Sequence, residues 1–301
     1  MPVAQEQLFT STFWSIRRPK APLTDGHFVI RLNDPSIAFG PDSAADLLRC
    51  YGALRRALTE LVGATGAQLY ISRNWQPVGD AIGEPVAETS TPSLHTFFVW
   101  PGSTTAASAL VRPAHHRSAV QRTEDVDDGL REWLASNTET KSEPGSEGPL
   151  PSDSPAPEGP SVPAESAPEG WENRAFHVEP ARAIPGNGFR VGHWTALPRS
   201  PVASLDQVDT AALLELVQGI EDIAWHTSPR HAGISVWATD LWGASPSIEI
   251  FAREHGNDDR LASFVEAGGL DLPHPDGAVP AGAVPAENAG TSAKPSPTVE
   301  K

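Results

Sequence analysis

Pro22-Leu23-Thr24-Asp25-Gly26-His27-Phe28-Val29-Ile30 decides how this chain is read, because its Gly-His returns 166 positions later. Gly26-His27-Phe28 matches Gly192-His193-Trp194, and Asn33-Asp34-Pro35-Ser36-Ile37-Ala38-Phe39 matches Arg199-Ser200-Pro201-Val202-Ala203-Ser204-Leu205. The same offset sets Leu47-Leu48 on Leu213-Leu214, Tyr51 on Val217 and Leu54 on Ile220. Pro92-Ser93-Leu94-His95-Thr96-Phe97 then matches Pro246-Ser247-Ile248-Glu249-Ile250-Phe251 at an offset of 154, so the second copy is twelve residues shorter between helix and last strand. Several matches in one order predict an internal duplication.

Each copy has one element pattern. The short apolar runs 27–32 and 194–197 read as strands. Ser43 with Asp46 three residues on reads as a helix start resembling a capping box. Ala44, Leu47, Leu48, Tyr51, Leu54, Leu58 and Leu61 then share one helical face. In the second copy Asp209 is the cap, and Leu213, Leu214, Val217, Ile220 and Ile223 form the stripe. Both stripes read as core. Strands follow over 67–72 and 233–238, then the strands carrying His95 and Glu249, then closing helices over about 118–134 and 258–266.

Composition bounds the rest. With 22 basic and 38 acidic side chains the chain carries a formal charge of −16, which opposes broad nucleic-acid binding because that needs basic surface. One cysteine, Cys50, excludes a disulfide framework and a cysteine-rich metal site. No apolar run approaches the roughly 20 residues of a membrane-spanning helix. Met1 to Ser15 has no basic stretch leading into an apolar one, so no secretory signal is visible and the expected compartment is the cytoplasm. Residues 136–170 hold eight prolines, seven acids and one lysine without hydrophobic periodicity, and read as a disordered acidic linker. Residues 271–301 hold six more prolines and read as a disordered tail. The foldable units are therefore 1–135 and 171–270.

The order Pro-Leu-x-x-Gly-His before an apolar strand, an amphipathic helix, and then Leu69-Tyr70-Ile71-Ser72-Arg73-Asn74 resembles the histidine-triad (HIT) superfamily. The tandem arrangement resembles galactose-1-phosphate uridylyltransferases. The resemblance covers both foldable units but neither linker nor tail. It implies an α+β fold: two HIT-like units, each a curved antiparallel sheet with a packed helix, joined as an intrachain pseudo-dimer. It also implies a histidine that attacks the α-phosphate of a nucleotide. Imidazole suits that role because it is a competent nucleophile near neutral pH.

Two registers place the triad. In the first, Ser93, His95 and Phe97 take the three histidine positions and Leu94, Thr96 and Phe98 face the helix. In the second, Leu94, Thr96 and Phe98 take them and His95 points to the other face, because strand side chains alternate. The second copy aligns Pro-Ser there and favours the first. By resemblance, His95 is then the nucleophile and Asn74 a phosphate- or ribose-contacting group; Gln76, Ser93 and Arg73 read as further groups to hold the phosphate. Arg31 is a further source of positive charge, whereas Asp80 and Glu84 oppose it. Only one triad position keeps a histidine, so two classes stay open. One is a divergent nucleotide hydrolase or nucleotidyltransferase. The other is a noncatalytic nucleotide- or protein-binding member. Either takes a nucleotide or nucleotide sugar as partner and needs no cofactor or metal; the oligomeric state is left open. Glu249 cannot form the histidine adduct, so the second copy reads as structural. The adjacent His115 and His116 read as a solvated pair, Trp75 and Trp100 as flanking aromatics able to stack on a base, and Cys50 as inert.

Overall fold

A computed structural model describes residues 6–19, 22–73, 93–103, 106, 123–138, 171–172, 175–181, 192–227 and 231–254. The first half contributes β1 (Glu6–Thr10), β2 (Trp14–Arg18), β3 (His27–Leu32), α1 (Pro41–Val62), β4 (Gly66–Arg73), β5 (Ser93–Val99) and α2 (Glu124–Thr138). The second contributes β6 (Trp171–Glu172), β7 (Phe176–Pro180), β8 (His193–Pro198), α3 (Thr210–Thr227), β9 (His231–Leu241) and β10 (Ser247–Glu254).

The described strands form one sheet in the order β1-β2-β3-β5-β4-β9-β10-β8-β7-β6, with neighbours antiparallel. This order reads the same from either edge once β1 is exchanged for β6, β2 for β7, β3 for β8, β5 for β10 and β4 for β9. The seam between halves is the β4–β9 pair. Its register runs from Gly66 opposite Leu241 to Arg73 opposite Ile234, with Tyr70 opposite Trp237. Tyr70 also faces His95, and Trp237 faces Glu249. Tyr70 and Trp237 are thus counterparts that meet each other, so the two halves are related by a local twofold through this pair. The α+β architecture of two like units is the one expected, but the units share one continuous sheet rather than each holding a sheet of its own.

The helices share one sheet face. Phe28, Ile30, Leu69 and Phe98 from the first half, and Val236, Ala238, Ile248 and Ile250 from the second, join Tyr51, Leu54, Leu58, Leu216 and Ile220 in one buried cluster. Burying such side chains is worth about 1.5–3 kcal/mol each, and the cluster spans both halves.

Helix starts differ from expectation in the first half. Gly40 is the N-cap and Pro41 opens the helix, since its fixed φ suits the first turn. Ser43 lies inside that turn, where its Oγ accepts the Gly40 N–H at 2.9 Å. Asp46 accepts instead from Ser11 Oγ (2.7 Å) and the Phe13 N–H (2.8 Å), tying the β1–β2 connection to α1. In the second half Asp209 precedes α3 and accepts the Ala211 N–H at 3.1 Å, as a cap does. Helix α2 begins at Glu124, later than the expected 118, and runs to Thr138, three residues into the stretch read as linker. The remainder of that linker, the expected helix over 258–266 and the tail lie outside the described residues.

Candidate functional site

Alternation along β5 places Leu94, Thr96 and Phe98 on the helix side. Phe98 packs on Tyr51 with ring centroids 6.0 Å apart, and Thr96 Oγ1 donates to Phe28 O at 3.2 Å. Ser93, His95 and Phe97 therefore share the opposite face. His95 thus points away from the helices, as the first register expects, and the β3–β5 approach has a local reason. Gly26 O accepts the Phe98 N–H at 2.9 Å, and a Cβ built on Gly26 would lie 2.0 Å from Phe98 O. Glycine alone lets the start of β3 come this close to β5. Gly192 repeats the bond, with the Ala252 N–H donating to its O at 2.7 Å.

Next to Gly26 stands His27, wholly buried, for which the sequence offered no role. Arg18 frames it by donating from Nη1 to the carbonyls of Asp25 (2.8 Å) and His27 (2.7 Å). The same guanidinium pairs with Asp127 of α2, at 4% and 2% exposure respectively, and lies 3.9 Å above the Phe28 ring. The Leu23 N–H donates to His27 Nδ1 at 3.1 Å, and His27 Nε2 lies 3.0 Å from His95 Nδ1. Phe97 packs against the His27 ring, tilted by 31° with centroids 4.4 Å apart.

This chain of bonds has a direction. A backbone N–H can only donate, so Nδ1 of His27 is the bare nitrogen and its proton sits on Nε2. That proton is donated to His95 Nδ1. Burial, then His95, then Arg18 push His27 well below the usual imidazole range, so it stays uncharged. Burial pushes His95 down to about 4, and only 8% of the residue is exposed. Neutral His95, accepting at Nδ1, carries its own proton on Nε2. It presents a donor beyond the pair.

Cross-strand partners run through His95 as one row on this face. Arg17, Val29, His95 and Tyr70 come from the first half, and Trp237, Glu249, Thr195 and Glu179 from the second. Arg31, opposite Ser93, lies one step along. The local twofold sets Arg17 against Glu179 and His95 against Glu249. Glu249 accepts from His193 Nε2 at 2.7 Å and Thr195 Oγ1 at 3.0 Å, and Phe251 stacks on His193 at 4.3 Å. Both halves thus build a ring pair at the same place. The first surrounds it with arginine, the second with carboxylate.

Of the residues expected to hold phosphate, Ser93 lies on the His95 face. Arg73 ends β4 opposite Ile234. Asn74 and Gln76 lie outside the described residues, as do Asp80, Glu84, Trp75, His115 and His116. Trp100 packs toward the helix-side core and so stands away from His95, because it shares the parity of Leu94 and Phe98. Cys50 is buried, and desolvation pushes its thiol up to about 12. Among the described residues no group of three or more His, Cys, Asp or Glu is placed to hold a metal, and no helix is long and apolar enough to cross a membrane. Sequence reasoning missed His27 and Arg17. The repeated Gly-His was the available signal for His27.

No family model matches the chain, and no curated protein matches it in sequence. Among solved structures it is similar to a GalT-like protein from Arabidopsis thaliana, at 10% identity and a TM-score of 0.47, covering 86% of this chain and 82% of that one. An ADP-glucose phosphorylase from Arabidopsis thaliana, solved with ADP-glucose bound, is similar at 11% identity and a TM-score of 0.39, covering 79% and 67%. A zinc-bound histidine triad family protein from Mycobacterium smegmatis is similar at 16% identity and a TM-score of 0.31, covering 46% of this chain and 90% of that one.

Proposed function

We propose that the first unit binds the phosphates of a nucleotide or nucleotide sugar on the His95 face without forming a covalent intermediate. The observation that carries this reading is the direction of the bonds from Leu23 through His27 to His95. Attack on phosphorus needs a bare Nε2, whereas the relay leaves the proton there. An Nε2–H suits a phosphate oxygen as a hydrogen-bond donor. Arg31, across from Ser93, supplies positive charge on the same face, as does Arg17 two strands over, and Ser93 supplies a hydroxyl. Asn74 and Gln76 follow β4 in the chain and complete the proposed set, Asn74 by resemblance to the HIT pattern. The second unit, with Glu179 and Glu249 at the matching places, repels phosphate and serves as the structural partner.

The covalent route through His95 is the second reading. It is favoured by the neutrality of the ring at physiological pH, and it requires the proton to leave Nε2 first. Calorimetric titration with ADP and UDP distinguishes the readings when paired with intact-mass measurement after incubation with ADP-glucose and UDP-glucose. The proposal expects saturable binding, about tenfold weaker in Arg31→Ala through loss of a charged hydrogen bond, and no added nucleotidyl mass. A nucleotidyl adduct that disappears in His95→Ala establishes the covalent reading instead. Absence of binding to either nucleotide rejects both.

A further inference from the structure

A cavity of about 460 Å³ lies on the other side of the sheet, between α1 and α3. Leu69 of β4 and Ala238 of β9, cross-strand partners at the seam, lie on its floor. Leu47 of α1 lines one wall, and Val217 and Ile220 of α3 line the other. Each unit supplies a wall and part of the floor, so the space exists only because the units pair.

Its lining is mostly carbon, with Ser93 at one edge. The two polar-tipped aromatics there are already committed: Tyr51 donates to Asp240 Oδ2 at 2.5 Å, and Trp14 Nε1 donates to Ser43 O at 2.7 Å. Glu221 is the charged residue of the lining. Protein interiors are close-packed, with few voids larger than a water molecule. Apolar cavities stay dry and accept apolar guests. A volume of about 460 Å³ falls instead in the range of small-molecule sites. Such a guest meets mostly hydrocarbon, and an anionic head would share the space with the Glu221 carboxylate.

We propose that this cavity binds a neutral molecule with a hydrocarbon chain, of the fatty-alcohol class. Ser93 touches its edge, but Leu94 rather than His95 of β5 faces it, and the site does not depend on the nucleotide reading.

The full-length chain is titrated with N-phenyl-1-naphthylamine, a neutral probe that fluoresces in apolar surroundings, and the probe is competed with 1-dodecanol and with dodecanoate. Saturable binding to one site is expected. The alcohol should displace the probe at least tenfold more effectively than the carboxylate, and Glu221→Gln should narrow that difference. The alcohol should also raise the melting temperature, since it binds the folded state. Ala238→Leu and Val217→Phe each fill the cavity and should weaken probe binding tenfold or more while melting cooperatively. If one of these variants fails to fold, the other decides. The proposal is overturned by absence of saturable probe binding to the wild-type chain, by undiminished binding in a folded filled variant, or by equal displacement by alcohol and carboxylate.

Discussion

Gly26 and His27 act as a unit at the scale of single residues: the glycine admits the backbone of β5, and the histidine beside it orients His95. Gly26→Ala drives a methyl group into the Phe98 carbonyl, a clash with backbone rather than with a side chain that can move aside. A loss of about 3 kcal/mol or more is expected in urea denaturation; a variant as stable as wild type would show that the close approach is not real. The two imidazoles set a pH dependence. His95 titrates at about 4 in the fold, against about 6.5 in an unfolded chain. Between these values the unfolded chain binds more protons, so stability rises with pH and is lost as pH falls from 6.5 toward 4. His95 alone contributes up to about 3 kcal/mol of that loss, and His27 acts in the same direction. Denaturation midpoints should drop across this window, less so in His95→Gln. Parallel profiles for the two proteins would contradict the buried pair.

Element by element, the strands and long helices were legible because their signals are local. The 3.6-residue stripe of α1 and the alternation of β5 each state which side is apolar, and the repeat doubles each signal. The cap of α1 was misplaced because Ser43 and Asp46 carry the residue types of a capping box, while Pro41 starts the helix two residues earlier. Pairing order across the sheet was not legible, since β4 meets β9 at long range. For the same reason the His27–His95 contact, between residues 68 apart in sequence, left no local trace. Another long-range contact joins the halves: Tyr51 of α1 donates to Asp240 of β9, whose Oδ2 also accepts from Ser204 Oγ (2.9 Å) and the Leu205 N–H (3.1 Å). Burial raises the Asp240 carboxyl, and burial with the adjacent Asp240 raises the Tyr51 phenol. Tyr51→Phe should destabilise by about 1–3 kcal/mol, because it removes a donor from a buried carboxylate. Unchanged chemical denaturation would show the bond to be dispensable.

On the scale of the whole molecule, one sheet and one apolar cluster are shared by both halves, so neither half retains its core without the other. Far-UV circular dichroism and tryptophan fluorescence should report a single coincident unfolding transition. Separate midpoints would mean that the halves are independent. The local twofold carries an electrostatic asymmetry, with Arg17 and His95 on one side and Glu179 and Glu249 on the other, and the proposed phosphate site lies on the first side. How His95 would meet the phosphate proposed for it depends on one proton. Nitrogen-15 NMR of the labelled imidazole at neutral pH reads it directly: the expected spectrum has a protonated Nε2 and a bare Nδ1 accepting from His27. A bare Nε2 with the proton on Nδ1 would contradict it and return His95 to the role of nucleophile.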